Sequence, residues 1–133
     1  MASARLAFAF TLCIAALPLR AQAQGAGQGA GQGTGGDGQL LFNNACRTCH
    51  TVKDGDNRLG PNLHAIIGRK SAALKGYAYS DSLAKADLVW DKATLDRFIA
   101  NPEAVVRGNK MQPYGGMPSA EERAKIIAYL EQN

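Results

Sequence analysis

Cys46-Arg47-Thr48-Cys49-His50 is the stretch on which the reading of this 133-residue chain turns. Two cysteines separated by two residues on a helical turn point the same way. That arrangement suits zinc binding, thiol redox chemistry or thioether bonds to the vinyl groups of a haem. The histidine directly after the second cysteine decides among them, because its ring reaches the iron of a porphyrin held by both sulfurs. Zinc needs further ligands at matching spacing, and beyond the leading segment the chain offers only His50, His64, Met111 and Met117. A thioredoxin-like centre needs a βαβ context, and no segment of this chain sustains the alternation of a strand. The expectation is one haem c, attached by two thioether bonds through Cys46 and Cys49, with His50 as an axial ligand of the iron.

A sixth iron ligand, or an open sixth position, separates electron transfer from gas or peroxide chemistry. Two methionines are available, Met111 in GNKMQPYGG and Met117 in GGMPS, both in a Gly/Pro-rich loop able to cover a haem face. Local sequence leaves the choice between them open, since a loop methionine also serves as core filler. His64 reads as a surface residue.

Outward from the motif, the pattern is helical. Asp37 is placed to cap a helix through Gln39–Asn44, with Leu41, Phe42 and Ala45 on one face. Ser119-Ala120-Glu121-Glu122 has capping-box spacing, and Arg123, Ile126, Ile127 and Leu130 follow with a helical period. Asp91 caps a third helix whose Leu95, Phe98 and Ile99 form a stripe, and Asn101-Pro102 ends it and starts a one-turn successor. The domain is expected to be all-α, with an irregular connection over residues 51–86 that is longer than a compact domain normally tolerates. A bound group must organise it, and so small a core needs a staple in any case.

The leading segment reads differently. Met1–Arg5 is short and positive, Leu6–Leu19 is apolar but short for a membrane span, and Ala21-Gln22-Ala23 is a small-x-small cleavage pattern. Residues 1–23 are expected to be a cleaved secretory signal, residues 24–37 a flexible Gly/Ala/Gln-rich leader, and residues 38–133 the folded domain. Cys13, inside the apolar run, has no role. Of the 15 basic residues Arg5 and Arg20 leave with the signal, so 13 remain against 11 acidic ones. They are dispersed, with no basic run interleaved with aromatics, which argues against nucleic acid as a partner.

From Cys46 onward, CRTCHTVKDGDNRLGPNLHAIIGRK, GYAYSDS, Trp90, TLDRFIANP, GNKM and IIAYL follow in an order that resembles the class I cytochromes c of the mitochondrial and bacterial soluble type. The resemblance covers residues 38–133 and implies terminal helices that cross, Gly38 and Phe42 meeting Ile126 and Tyr129, with loops wrapped around covalent haem. It implies Met111 as the second axial ligand. Pro61 would accept the hydrogen bond of the axial imidazole, and Arg69, Tyr79 and Trp90 would donate to a buried haem propionate. Two departures stand out. Phe98 and Leu83 replace polar residues the family often has near the methionine, implying a drier site. Glu103 and Ala104 stand where mitochondrial carriers place lysines, although Arg47, Lys53 and Lys110 remain, implying a weaker basic ring for docking.

The function implied is one-electron transfer in the periplasm, without catalysis and without a small-molecule substrate. The carrier would be a monomer between a respiratory or photosynthetic donor and an oxidase or reaction-centre-type acceptor. Its partners would be transient redox proteins, with the membrane reached only through their complexes. The alternative is an electron-accepting haem subunit of a periplasmic dehydrogenase or sulfur-oxidising complex. A gas or peroxide binder would need an open iron position.

Overall fold

Gly38 decides how the two ends of the domain meet. A Cβ at this position would run into the carbonyl oxygen of Lys125 and come within 2.9 Å of Tyr129 Cβ, so only a glycine permits the observed approach. The computed structural model describes residues 34–133. Residues 1–33, including the expected signal and Cys13, lie outside the described residues.

Five helices follow one another: α1 (Thr34–Ala45), α2 (Asp81–Lys85), α3 (Lys92–Ala100), α4 (Pro102–Val105) and α5 (Ala120–Leu130). Among the described residues there is no β-strand, and a single antiparallel bridge joins Lys70 to Val89. Helix α1 crosses α5, and α3 packs on both α5 and α4. The expected all-α fold with crossing terminal helices is what the chain adopts.

Helix α1 starts at Thr34, so Asp37 lies within its first turn instead of capping it. An acidic side chain there still suits the helix dipole, and Asp37 approaches Lys125 of α5 at 3.6 Å. The buried face also differs from the expected one. Phe42 is buried and Leu41 half-buried, but Ala45 is exposed. The face that meets α5 runs Gly38–Phe42–Cys46 at four-residue steps, which brings the first cysteine of the motif inward.

The caps of α3, α4 and α5 are as read from sequence. Asp91 accepts from the Thr94 amide at 2.7 Å, Ser119 from Glu122 at 3.3 Å, and Asn101 from Ala104 at 3.1 Å. On α3 the buried residues are Thr94, Leu95, Phe98 and Ile99, and on α5 Ile126, Ile127 and Leu130. Phe42 stacks obliquely on Tyr129 at 5.4 Å and Trp90 meets Phe98 edge-on at 4.9 Å. Arg123, although in register with the apolar stripe of α5, is a tie. It bonds Asp96 of α3 at 2.7 Å and the carbonyls of Met117 and Pro118 at 2.9 and 2.8 Å.

The crossing yields a direct test. Gly38→Val forces a branched side chain against backbone, and overpacking of this kind costs about 2–3 kcal/mol. A guanidinium unfolding curve of the haem-loaded protein is expected to shift down accordingly. Gly36→Ala, at an open position on the same helix, should leave stability unchanged or raise it by up to ~1 kcal/mol.

Candidate haem site

The motif continues the helical hydrogen bonding of α1. The Cys46 amide donates to Phe42 O at 2.8 Å, and the amides of Cys49 and His50 donate to Cys46 O at 3.1 and 2.9 Å. Both cysteines sit half-buried on this turn and neither is in a disulfide. Burial pushes the Cys46 thiol up to about 11, with the neighbouring Cys49 adding to the shift. Dithiol redox centres need the opposite, a depressed thiol. Among the described residues no three His, Cys, Asp or Glu side chains converge.

His50 is buried at 8 % exposure. Its Nδ1 donates to the Pro61 carbonyl oxygen at 2.8 Å, which fixes the tautomer and leaves the lone pair of Nε2 available to a metal. Burial lowers the imidazole below its ordinary value, against the smaller upward effect of the Pro61 bond, so the ring is neutral at neutral pH. Gly60 closes the other side of the ring. A Cβ there would lie 2.6 Å from Nδ1 and 2.8 Å from Nε2, and the Gly60 amide donates to Cys49 O at 2.8 Å. Sequence reasoning missed Gly60; its only signal was the glycine before Pro61.

The irregular segment after the motif is held by side chains and isolated backbone bonds. Leu63 N–H donates to Thr51 O at 2.7 Å, Tyr77 O–H to Leu59 O at 2.6 Å, and the Asn62 amide to Asn57 Oδ1 at 2.9 Å. Arg69 is linked to both Trp90 and Tyr79. The Trp90 amide donates to Arg69 O at 2.8 Å, and Arg69 and Tyr79 are close enough to bias each other's ionisation, although burial is the larger effect on both. The Arg69 guanidinium donates to the carbonyls of Asn62 and His64 at 2.7 and 3.0 Å, which uses two of its five N–H groups. His64 itself is exposed.

Met111 and Met117 are both half-buried against the core that also receives Cys46 and Leu83. They differ in anchorage. The Met117 amide donates to Ile99 O at 3.0 Å and its carbonyl accepts from Arg123, tying it to α3 and α5. Met111 is fastened within its own loop, its amide donating to Asn109 Oδ1 at 2.8 Å. Further along, Tyr114 O–H donates to Ile99 O at 2.9 Å, so the loop carrying both methionines is tied to the end of α3. Burial, with the Cys46 sulfur next, pushes the Tyr114 phenol up to about 12, against the influence of Arg123. Phe98 is buried in the apolar core, and Leu83, half-buried, packs against it.

A turn with two half-buried cysteines and a neutral imidazole, its Nε2 free, is a donor set that fits haem. Comparison with known proteins agrees. Residues 33–130 match the family model described as cytochrome c oxidase, cbb3-type, subunit III. A cytochrome c of Gibberella zeae is 41% identical over 97 residues, 72% of this chain and 91% of its own length. A cytochrome c2 of Rhodopila globiformis is 42% identical over 95 residues, 71% of this chain and 89% of its own. The chain belongs to the class I cytochromes c. The solved cytochrome cH from Methylobacterium extorquens has the same fold, with a TM-score of 0.68 at 35% identity over 74% of this chain and 98% of that one. As a cytochrome c the protein is an electron carrier, and its cofactor is covalently bound haem c.

Gly60→Ala tests the packing around the imidazole. The added methyl displaces the His50 ring or the Gly60–Pro61 backbone, with an expected loss of about 1–3 kcal/mol of stability in the haem-loaded protein. The nitrogen resonances of the His50 ring, followed by NMR, should report a weakened Nδ1–H bond. Wild-type resonances and stability would contradict the packing described.

Proposed function

We propose that this cytochrome is an exported, periplasmic, monomeric one-electron carrier in which Cys46 and Cys49 hold the haem and His50 and Met111 are the axial ligands. The observation that carries the ligand assignment is the His50 ring, with Nδ1 committed to Pro61 and Nε2 left for iron. Covalently held haem iron supplies one-electron chemistry by alternating between its ferric and ferrous states. The chain's part is to bind and tune. The Pro61 carbonyl orients His50 and raises its basicity, and a thioether at Met111 favours ferrous iron and raises the potential. Arg69, Tyr79 and Trp90 offset the cost of enclosing a propionate.

Export is supported by the signal-like residues 1–23, with the Gly/Ala/Gln-rich stretch between them and α1 serving as leader. Among the described residues no helix is long and apolar enough to cross a membrane. A carrier role is supported by the curated relatives, a cytochrome c and a cytochrome c2 of which the match covers about nine-tenths. The carrier exchanges electrons with a respiratory or photosynthetic donor and with an oxidase or reaction-centre-type acceptor in transient complexes. Arg47, Lys53 and Arg58 border one shallow recess beside the motif, with Asp56 among them. That modest positive edge steers acidic partners without holding them.

The weak charge-transfer absorption band of methionine on ferric haem iron tests the ligand set. It is expected in the wild type and in Met117→Ala, and lost in Met111→Ala. Loss in Met117→Ala alone would move the ligand to Met117. Absence from the wild type, with rapid carbon monoxide binding by the ferrous protein, would replace the carrier by a gas binder.

A further inference from the structure

Glu103 stands at an exposed position where the resemblance anticipates a docking lysine, yet its carboxylate is bonded to the loop that follows α4. Oε2 accepts the Gly108 amide at 3.1 Å, and Oε1 accepts from Nδ2 of Asn109 at 2.8 Å. Asn109 is buried at 6 % exposure. Its Nδ2 also donates to the Val106 carbonyl at 2.9 Å, and its Oδ1 accepts the Met111 amide at 2.8 Å. With two acceptors facing Nδ2 and one donor facing Oδ1, only one orientation of the carboxamide satisfies the network. An unbroken chain of hydrogen bonds thus runs from a carboxylate on α4 to the backbone of the methionine.

The anchor of this chain is itself well fixed. Helix α4 is one turn long, capped by Asn101 at its start and closed by the Val106 amide on Pro102 O at 2.9 Å, and both Pro102 and Val106 are buried. Gly108 supplies the left-handed residue, with φ at +76°, that turns the loop back towards Glu103. We infer that Glu103 is a positioning residue for Met111, acting through Asn109 to hold the methionine loop closed over the haem. The inference rests on Met111 as the axial ligand. A charged acceptor strengthens both bonds it receives. A lysine here would face the Gly108 and Asn109 donors with donors of its own.

The loop's opening can be read with imidazole as a competing ligand of ferric iron. Its apparent affinity scales with the fraction of protein whose methionine is displaced. Glu103→Ala and Glu103→Lys are expected to raise that affinity roughly tenfold, the loss of a charge-assisted pair at a partly exposed site. Glu103→Gln, which keeps a neutral acceptor, should give a smaller rise. Glu131→Gln, which removes the same charge from the Lys92 pair, should give none. Asn109→Ala should rise at least as far as Glu103→Ala, and adding Glu103→Ala to it should change little. In a Met111→Ala background, where no methionine has to move, Glu103→Ala should have no effect.

Affinities of Glu103→Ala and Glu103→Lys within twofold of the wild type would overturn the inference. So would an equal rise in the Met111→Ala background, or additive effects of Glu103→Ala and Asn109→Ala. Failure of the underlying ligand assignment looks different: Met111→Ala alone would then leave imidazole affinity unchanged.

Discussion

The hydrogen bond from the His50 ring to the Pro61 carbonyl, 2.8 Å long, is the point through which the rest of the domain is connected. It joins the turn that ends α1 to a segment with no helix of its own between Ala45 and Asp81. It also fixes which ring nitrogen keeps a free lone pair. Gly60 and Pro61 serve this bond from two sides, the glycine by leaving room for the ring and the proline by presenting its carbonyl. The bond leaves Nε2 of this buried ring with its lone pair free, the nitrogen to which the proposed iron would bind. Covalently bound haem c adds to a core that the helices alone leave small.

Around that centre the domain has three layers of attachment. The crossing of α1 and α5 at Gly38 sets where the motif sits. The Arg123 cluster joins α5 to α3 and to the backbone of Met117 and Pro118, so one face of the methionine loop is tied to the helical frame. Asn109 and Tyr114 hold the loop on either side of Met111. Exposed ion pairs such as Lys92–Glu131 and Lys125–Glu121 decorate the same frame, but pairs of that kind contribute little.

Much of this was legible in the sequence because it is local. The Cys46–His50 spacing, the caps at Asp91, Asn101 and Ser119, and the stripes of α3 and α5 depend on neighbours a few residues apart. The crossing at Gly38 was legible only through resemblance. What escaped depends on chain segments returning to each other. Helix α2 is five residues long with no buried residue, too short for a periodic signal. The start of α1 at Thr34 falls in a Gly-rich stretch with no apolar pattern to mark it. Glu103 read as a change in docking charge, because nothing in the sequence says that the loop folds its Gly108 and Asn109 donors back onto that carboxylate.

Far-UV circular dichroism of a Cys46→Ala/Cys49→Ala chain, prepared free of haem, bears most directly on the claim that one site organises both fold and function. The expected result is a large loss of helix relative to the haem-loaded protein and no cooperative unfolding transition. A haem-free chain with native helix content and a sharp unfolding transition would contradict it.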